Sequence, residues 1–219
     1  MTRKIGMVLI VIGLLFAGWN GYKWLSETAS GQQEISETDI VKTDDVSPVA
    51  VPTEERIEEK TVPEQVEKPL EPKLRTYEEY KRGDDIGWLL IPSLDKKYPV
   101  YWGTDEDTLT QGVGYHVSKF TLPPDGQRHT VLSGHRDTVF RELGELKEGD
   151  SLFIQFEEKQ YEYQLTKSWI TAAEDRTVIV SKDEAVLTLT TCYPFTFLGA
   201  APDRYIIEAP LVNVTEMNL

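Results

Sequence analysis

The chain has 219 residues, 27% of them charged and 40% hydrophobic, and a formal charge of -14. That length holds one domain of ordinary size plus appendages, since a domain takes about 100 to 200 residues. The negative charge argues against nucleic acid as a partner, because phosphate backbones are bound by surplus Lys and Arg. The single cysteine, Cys192, excludes an internal disulfide and the clustered thiolates of a zinc ribbon or an iron–sulfur site, and no metal or other cofactor is expected.

Arg3 and Lys4 precede a run, Ile5 to Trp19, without a charged or strongly polar side chain. Extended through Trp24 it reaches about 20 residues, or about 30 Å of helix, enough to cross a hydrocarbon core. Trp19, Tyr22 and Trp24 form an aromatic belt beside Lys23, whose ammonium can snorkel to the interface. Basic residues before the run and acidic ones after it place the N-terminus in the cytoplasm. Residues 1–25 are therefore read as a cytoplasmic tip and transmembrane signal anchor, which makes the protein a single-pass cell-membrane protein with its body outside. A cleaved signal peptide has an apolar core of about 7 to 15 residues followed by small residues. Here the core runs into Trp-Asn-Gly-Tyr-Lys-Trp, which favours a retained anchor, and on either reading the body is exported.

Residues 26–75 hold 13 acidic and 6 basic side chains, no aromatic residue and five prolines. Such a segment buries too little apolar surface to offset its ordering entropy, and it reads as a disordered acidic stalk. As a flexible coil its ends would stand about 40 Å apart, and like-charge repulsion would extend it.

From residue 76 to 219 short apolar runs alternate with turn residues, with little sustained helical periodicity, which is an all-β pattern. The expected strands are Ile86 to Ile91, Tyr98 to Trp102, Tyr115 to Ser118, Thr130 to Ser133, Ser151 to Phe156, Tyr161 to Ile170, Ala185 to Thr191 and Arg204 to Ala209. A short helix is expected over Asp105 to Thr110, capped by Thr104. Val178 to Val180 is too short to assign. About eight strands in about 140 residues fit a closed barrel or a sandwich, and closure would remove exposed edges.

Cys192 lies where a strand gives way to a loop, a place from which side chains reach solvent. A lone exposed thiol in an oxidising compartment is a liability unless it is used. Its bland reading is a buried small hydrophobe. A nucleophilic thiol needs a base, and the chain offers His116, His129 and His135. His135 follows a strand end and a glycine, whereas His129 begins that same strand, about 20 Å away if extended. His116 remains a rival, more simply read as a surface residue. Arg204 opens the last strand; if that strand pairs antiparallel with the cysteine strand, Cys192 and Arg204 share one rim. A guanidinium there offers fixed charge and a planar fork of donors to a developing oxyanion. At reference pKa values near 8.5 for cysteine and 6.5 for histidine, only on the order of 1% of such pairs exist as thiolate and imidazolium. The residues flanking the thiol, Thr191, Tyr193 and Pro194, are candidates for substrate contact.

Thr188-Leu189-Thr190-Thr191-Cys192-Tyr193-Pro194-Phe195, Gly134-His135-Arg136-Asp137-Thr138-Val139-Phe140 and Ala201-Pro202-Asp203-Arg204-Tyr205 resemble the sortases of Gram-positive bacteria, and their ordered combination with this spacing is highly specific. The likeness spans about residues 77 to 214, and the Thr-Cys-Tyr-Pro-Phe run with Gly-x-Ala-Pro-x-Arg-Tyr looks most like class D. The resemblance implies an eight-stranded sortase barrel in which the histidine and cysteine strands run parallel, bringing His135 to Cys192. It also implies a cysteine transpeptidase acting on Leu-Pro-x-Thr-Gly or Leu-Pro-x-Thr-Ala sorting signals. By position, Cys192 would attack the Thr carbonyl, His135 would shuttle protons and Arg204 would bind the oxyanion. The acceptor would be a peptidoglycan precursor amine. Two alternatives remain open: a thiol peptidase that hydrolyses the same thioester, and an anchored, non-catalytic module that binds wall peptides.

Overall fold

The computed structural model describes residues 2–29, 32–36, 38–41, 75–196, 199 and 201–217. Helix α1 covers Thr2–Ala29. The strands are β1 (Asp85–Ile91), β2 (Lys96–Trp102), β3 (Val113–Tyr115), β4 (His129–Ser133), β5 (Ser151–Phe156), β6 (Lys159–Gln164), β7 (Lys167–Ala172), β8 (Val186–Tyr193) and β9 (Asp203–Glu216), with the short helix α2 (Glu106–Leu109) before β3.

Hydrogen bonding runs in the order β6-β5-β1-β2-β3-β4-β8-β9, and β9 pairs back onto β6, so eight strands close a ring. The fold is therefore a closed eight-stranded β-barrel with few short helices, the closed alternative of the two expected. β7 lengthens the β6 wall: the one strand expected over Tyr161 to Ile170 is interrupted at residues 165 and 166. Both halves pair with the long β9, Tyr163 opposite Leu211 and Lys167 opposite Glu208. Tyr161, Tyr163 and Leu165 all point inward across the break, which is why alternation alone reads straight through it. Leu152, Ile154 and Phe156 of β5 face the same core, with Leu89, Leu187 and Ile207 from other walls. In β1, Gly87 adopts φ +142° at a bulge, and a Cβ there would stand 1.9 Å from the Gln155 carbonyl. Only glycine lets β1 and β5 approach so closely.

Helix α2 is capped by Asp105, not by Thr104. The Asp105 carboxylate accepts from the Thr108 backbone N–H at 3.3 Å and from its hydroxyl at 2.7 Å. A carboxylate also complements the positive end of the peptide dipoles, as a hydroxyl cannot.

The N-terminal region departs from expectation. α1 continues four residues past the boundary expected at residue 25. Its side chains are described over residues 6–7 and 9–22, and their large apolar members are 50 to 71% exposed. Among the described residues no helix is long and apolar enough to cross a membrane. Part of the expected stalk lies against the barrel. Gln33 and Lys97 exchange two backbone hydrogen bonds of 2.9 and 2.8 Å, and Lys97 Nζ meets the Asp39 carboxylate at 2.7 Å. That bond holds the Asp39 carboxyl below the usual range. The Gln160 amide both donates to and accepts from the Val41 backbone, each at 3.2 Å. Composition misses this docking because it rests on main-chain and amide bonds and one ion pair, which bury little apolar surface. Residues 42–74 of the expected stalk lie outside the described residues.

Candidate active site

β4 and β8 run parallel, with Ser133 opposite Thr190. The pairing continues past the strand end, where the Gly134 N–H donates to the Thr190 carbonyl at 3.2 Å. The same offset brings His135 level with Cys192. On its other side β8 pairs antiparallel with β9, and Cys192 lies directly opposite Arg204. Three strands thus deliver sulfur, imidazole and guanidinium to one rim.

β8 extends through Tyr193, so Cys192 sits inside the last pairs of the strand instead of just beyond it, half-buried and outside any disulfide. The His135 side chain is 32% exposed, and its Nε2 faces the Glu106 carboxylate of α2 at 3.6 Å. A Cβ on Gly134 would come within 2.6 Å of Val139 and 2.7 Å of Phe140, so glycine lets the histidine loop close against its own turn. That turn is set by the Phe140 N–H, which donates to the His135 carbonyl at 3.0 Å. Arg204 is also half-buried, and its Nη1 donates to the backbone carbonyls of Asp203 at 2.9 Å and Ala201 at 3.3 Å. The guanidinium is held by main chain and needs no ion pair with the Asp203 carboxylate.

Arg204 borders a cleft of about 190 Å³ whose other walls include Ala172, Ala173, Val178, Ile179 and Ile206. The loop between β7 and β8 supplies Ala173, Asp175, Val178 and Ile179. The only hint of it in the sequence is the apolar Val178-Ile179-Val180 within a polar connection. The loop is fastened at several points. The Thr171 hydroxyl, and after it the Thr177 hydroxyl and backbone N–H, the latter at 2.8 Å, donate to Asp175 and hold its carboxyl below the usual range. Lys182 pairs with Glu208. Burial would raise the Glu208 carboxyl, but bonds from Lys182 and Lys167 outweigh it and hold that carboxyl low.

The other histidines are placed elsewhere. His129 is fully buried, with Nδ1 2.6 Å from the Val180 carbonyl and Nε2 2.8 Å from the Thr188 hydroxyl. Burial lowers its pKa. His116, whose backbone N–H donates to the Val131 carbonyl at 2.9 Å, sits toward the His129 end of β4 and is also lowered by burial. That position is about 13 Å along the strand from His135, at 3.3 Å per residue.

The flanking candidates divide. Thr191 is 3% exposed and spends its hydroxyl on the Gly134 carbonyl at 2.7 Å, so it supports the rim from below instead of facing a ligand. Tyr193 and Pro194 are half-buried, and the Tyr193 ring stacks on Tyr205 with centroids 6.3 Å apart. Sequence reasoning missed Arg136, which is 4% exposed behind the rim. Among the described residues no group of three or more His, Cys, Asp or Glu side chains gathers as a metal site would.

A sortase domain model matches residues 89–212. Sortase D of Bacillus subtilis (strain 168) is 34% identical over 214 residues, covering 97% of this chain and all of that protein. The catalytic domain of SrtD from B. anthracis is 52% identical, with a TM-score of 0.57 over 67% of this chain and 99% of that one. A Clostridium perfringens sortase C structure, described as containing the C-terminal cell wall sorting motif, is 28% identical, with a TM-score of 0.55 over 64% of this chain and 77% of that one. The fold is thus shared with sortase structures over about two thirds of this chain, and with the matching domain model and a relative aligned along 97% of its length this chain belongs to the sortase family of cysteine transpeptidases.

Proposed function

We propose that the protein cleaves a Leu-Pro-x-Thr-Gly or Leu-Pro-x-Thr-Ala type sorting signal after Thr and transfers the surface protein to a cell-wall peptide amine. Cys192 is the nucleophile, since a cysteine transpeptidase with one cysteine has no other. Its thiolate attacks the Thr carbonyl carbon, forming a tetrahedral oxyanion that the Arg204 fork receives. The C–N bond then breaks, His135 gives a proton to the departing amine, and a thioester remains on sulfur. The acceptor amine attacks that thioester and loses its proton to His135, which frees the thiolate. The observation that carries this reading is the register of Cys192 opposite Arg204 and level with His135. The cleft beside Arg204, with its aliphatic walls, fits the Leu-Pro part of such a signal.

Residues 1–25 anchor the protein in the cell membrane, with the barrel outside. The support is the uncharged run from Ile5 to Trp19 and the exposure of its described apolar side chains. A tether shared with membrane-bound substrates raises effective concentration without tight binding.

The deciding experiment incubates the full chain with a sorting-type peptide, with and without an amine acceptor, and follows Cys192 and the products by mass spectrometry. The expected result is an acyl thioester on Cys192 and an amide product when amine is present. Free acid alone under both conditions means a peptidase, and no adduct with tight peptide binding means a binding module.

A further inference from the structure

The end of β8 that carries the sulfur and the loop that carries the imidazole are joined by bonds on either side of the reacting pair. On the N-terminal side of both, the Thr191 hydroxyl donates to the Gly134 carbonyl at 2.7 Å. On the C-terminal side, Arg136 Nη1 donates to the Pro194 carbonyl at 2.9 Å and Nη2 to the Gly199 carbonyl at 2.7 Å. Residues 134 and 136 flank His135; residues 191 and 194 flank Cys192. The His135 ring itself turns its Nε2 to Glu106. The alignment of the pair therefore comes from the main chain on either side of it.

Arg136 is an unusual place to put a charge. It is 4% exposed, and its Nε lies 3.5 Å from the Asp137 carboxylate. A buried guanidinium is costly unless its donors are used. Here the planar fork spans two carbonyls of the loop that follows the nucleophile, a geometry a lysine ammonium cannot copy. Remove the fork, and that loop loses its attachment to the histidine loop while β4 and β8 stay paired below.

We infer that Arg136 is a positioning residue for the reaction: it bolts the loop after Cys192 to the loop of His135 and so sets the approach of sulfur to imidazole. This rests on the reading of Cys192 and His135 as the reacting pair. Reacting groups displaced by about 1 Å can lose about 100-fold in rate. The loss falls on the chemical step, because neither Arg136 nor the Pro194 and Gly199 carbonyls it holds line the cleft beside Arg204.

The test measures single-turnover acylation of Cys192 by a sorting-type peptide, in the full chain, normalised to titratable thiol. Arg136→Lys keeps the charge without the fork. It should melt within a few degrees of the parent and acylate about ten- to one hundred-fold more slowly, with KM within about two-fold. Thr191→Val removes the bolt on the other side and should show the same split between kcat and KM. Wild-type acylation by folded Arg136→Lys overturns the inference, as does a loss that falls on KM alone. Cys192→Ala and His135→Ala serve as controls. If either turns over normally, the reading of the pair has failed; if both are impaired while Arg136→Lys is normal, only the present inference has.

Discussion

Two histidines six residues apart bracket β4, His129 as its first residue and His135 two residues past its end, and the two live in opposite circumstances. His129 is fully buried, with both ring nitrogens in bonds to the protein. His135 is partly exposed and looks across the rim at a carboxylate 3.6 Å away. One imidazole is a structural strut between β4, β8 and the β7–β8 loop; the other is 32% exposed, as the proposed proton transfer requires. The contrast teaches that residue type says little until its donors and acceptors have been accounted for. A saturated ring cannot move protons without breaking the fold around it.

The comparison breaks most sharply at His135. His135→Ala should lower turnover by about 100- to 10,000-fold, the usual contribution of a positioned acid–base group, and leave the melting temperature close to that of the parent. A destabilised variant with near-normal turnover would reverse the roles of the two histidines. Arg204→Lys comes next. It keeps charge but loses the planar fork, and removal of a transition-state donor costs about 2.7 to 4 kcal/mol, or about 100- to 1,000-fold in kcat. Steady-state kinetics on the folded variant decide it, and near-normal turnover would leave Arg204 with a purely structural task on its loop carbonyls.

Much of this site is legible in the sequence where neighbours in space are neighbours along the chain. β8 and β9 are consecutive strands joined by one loop, so antiparallel pairing alone puts Cys192 beside Arg204. The partnership of β4 with β8 has no such local signal. Three strands intervene, and a parallel pair gives no turn motif to fix its register; only the likeness to known sortases anticipates it. Arg136 is illegible for a related reason. A charged residue beside an exposed histidine reads as surface, and its burial depends on carbonyls at positions 194 and 199. The docking of Gln33, Asp39 and Val41 escapes composition in the same way, since main chain, a glutamine amide and the Lys97–Asp39 ion pair do the binding.

At the other end of β4 the expected effect is on stability. His129→Asn cannot keep both the bond to the Val180 carbonyl and the one to the Thr188 hydroxyl, and an orphaned buried partner costs about 1 to 3 kcal/mol. Chemical denaturation at pH 7 should show that loss. The pH dependence should change too. Burial holds the folded-state pKa of His129 below the unfolded value of about 6.5, so the unfolded chain binds the proton first. The stability this histidine contributes is complete above about pH 6.5 and is lost as pH falls toward the lowered folded value. His116 is shifted the same way by burial, so the variant should keep a shallower acid slope, not a flat one. An unchanged slope between about pH 6.5 and 5 would mean that His129 is not held neutral by its site.

The smallest effect concerns what His135 faces. Glu106 is 81% exposed and sits in the first turn of α2, so its pull on a developing imidazolium is exerted through water. Exposed pairs of this kind count for about 0.2 to 1 kcal/mol, so Glu106→Gln should slow turnover by no more than about five-fold. The sign is fixed by charge: a carboxylate attracts positive charge developing on the ring during proton transfer, whereas the amide carries no net charge. Salt separates this from a packing effect. The Debye length falls from about 10 Å at 0.1 M to about 3 Å at 1 M, so rising salt should bring the parent down toward the variant while the variant barely responds. A salt response that is the same in both proteins would mean that the carboxylate is a bystander, and that the open end of β4 owes its reactivity to placement alone.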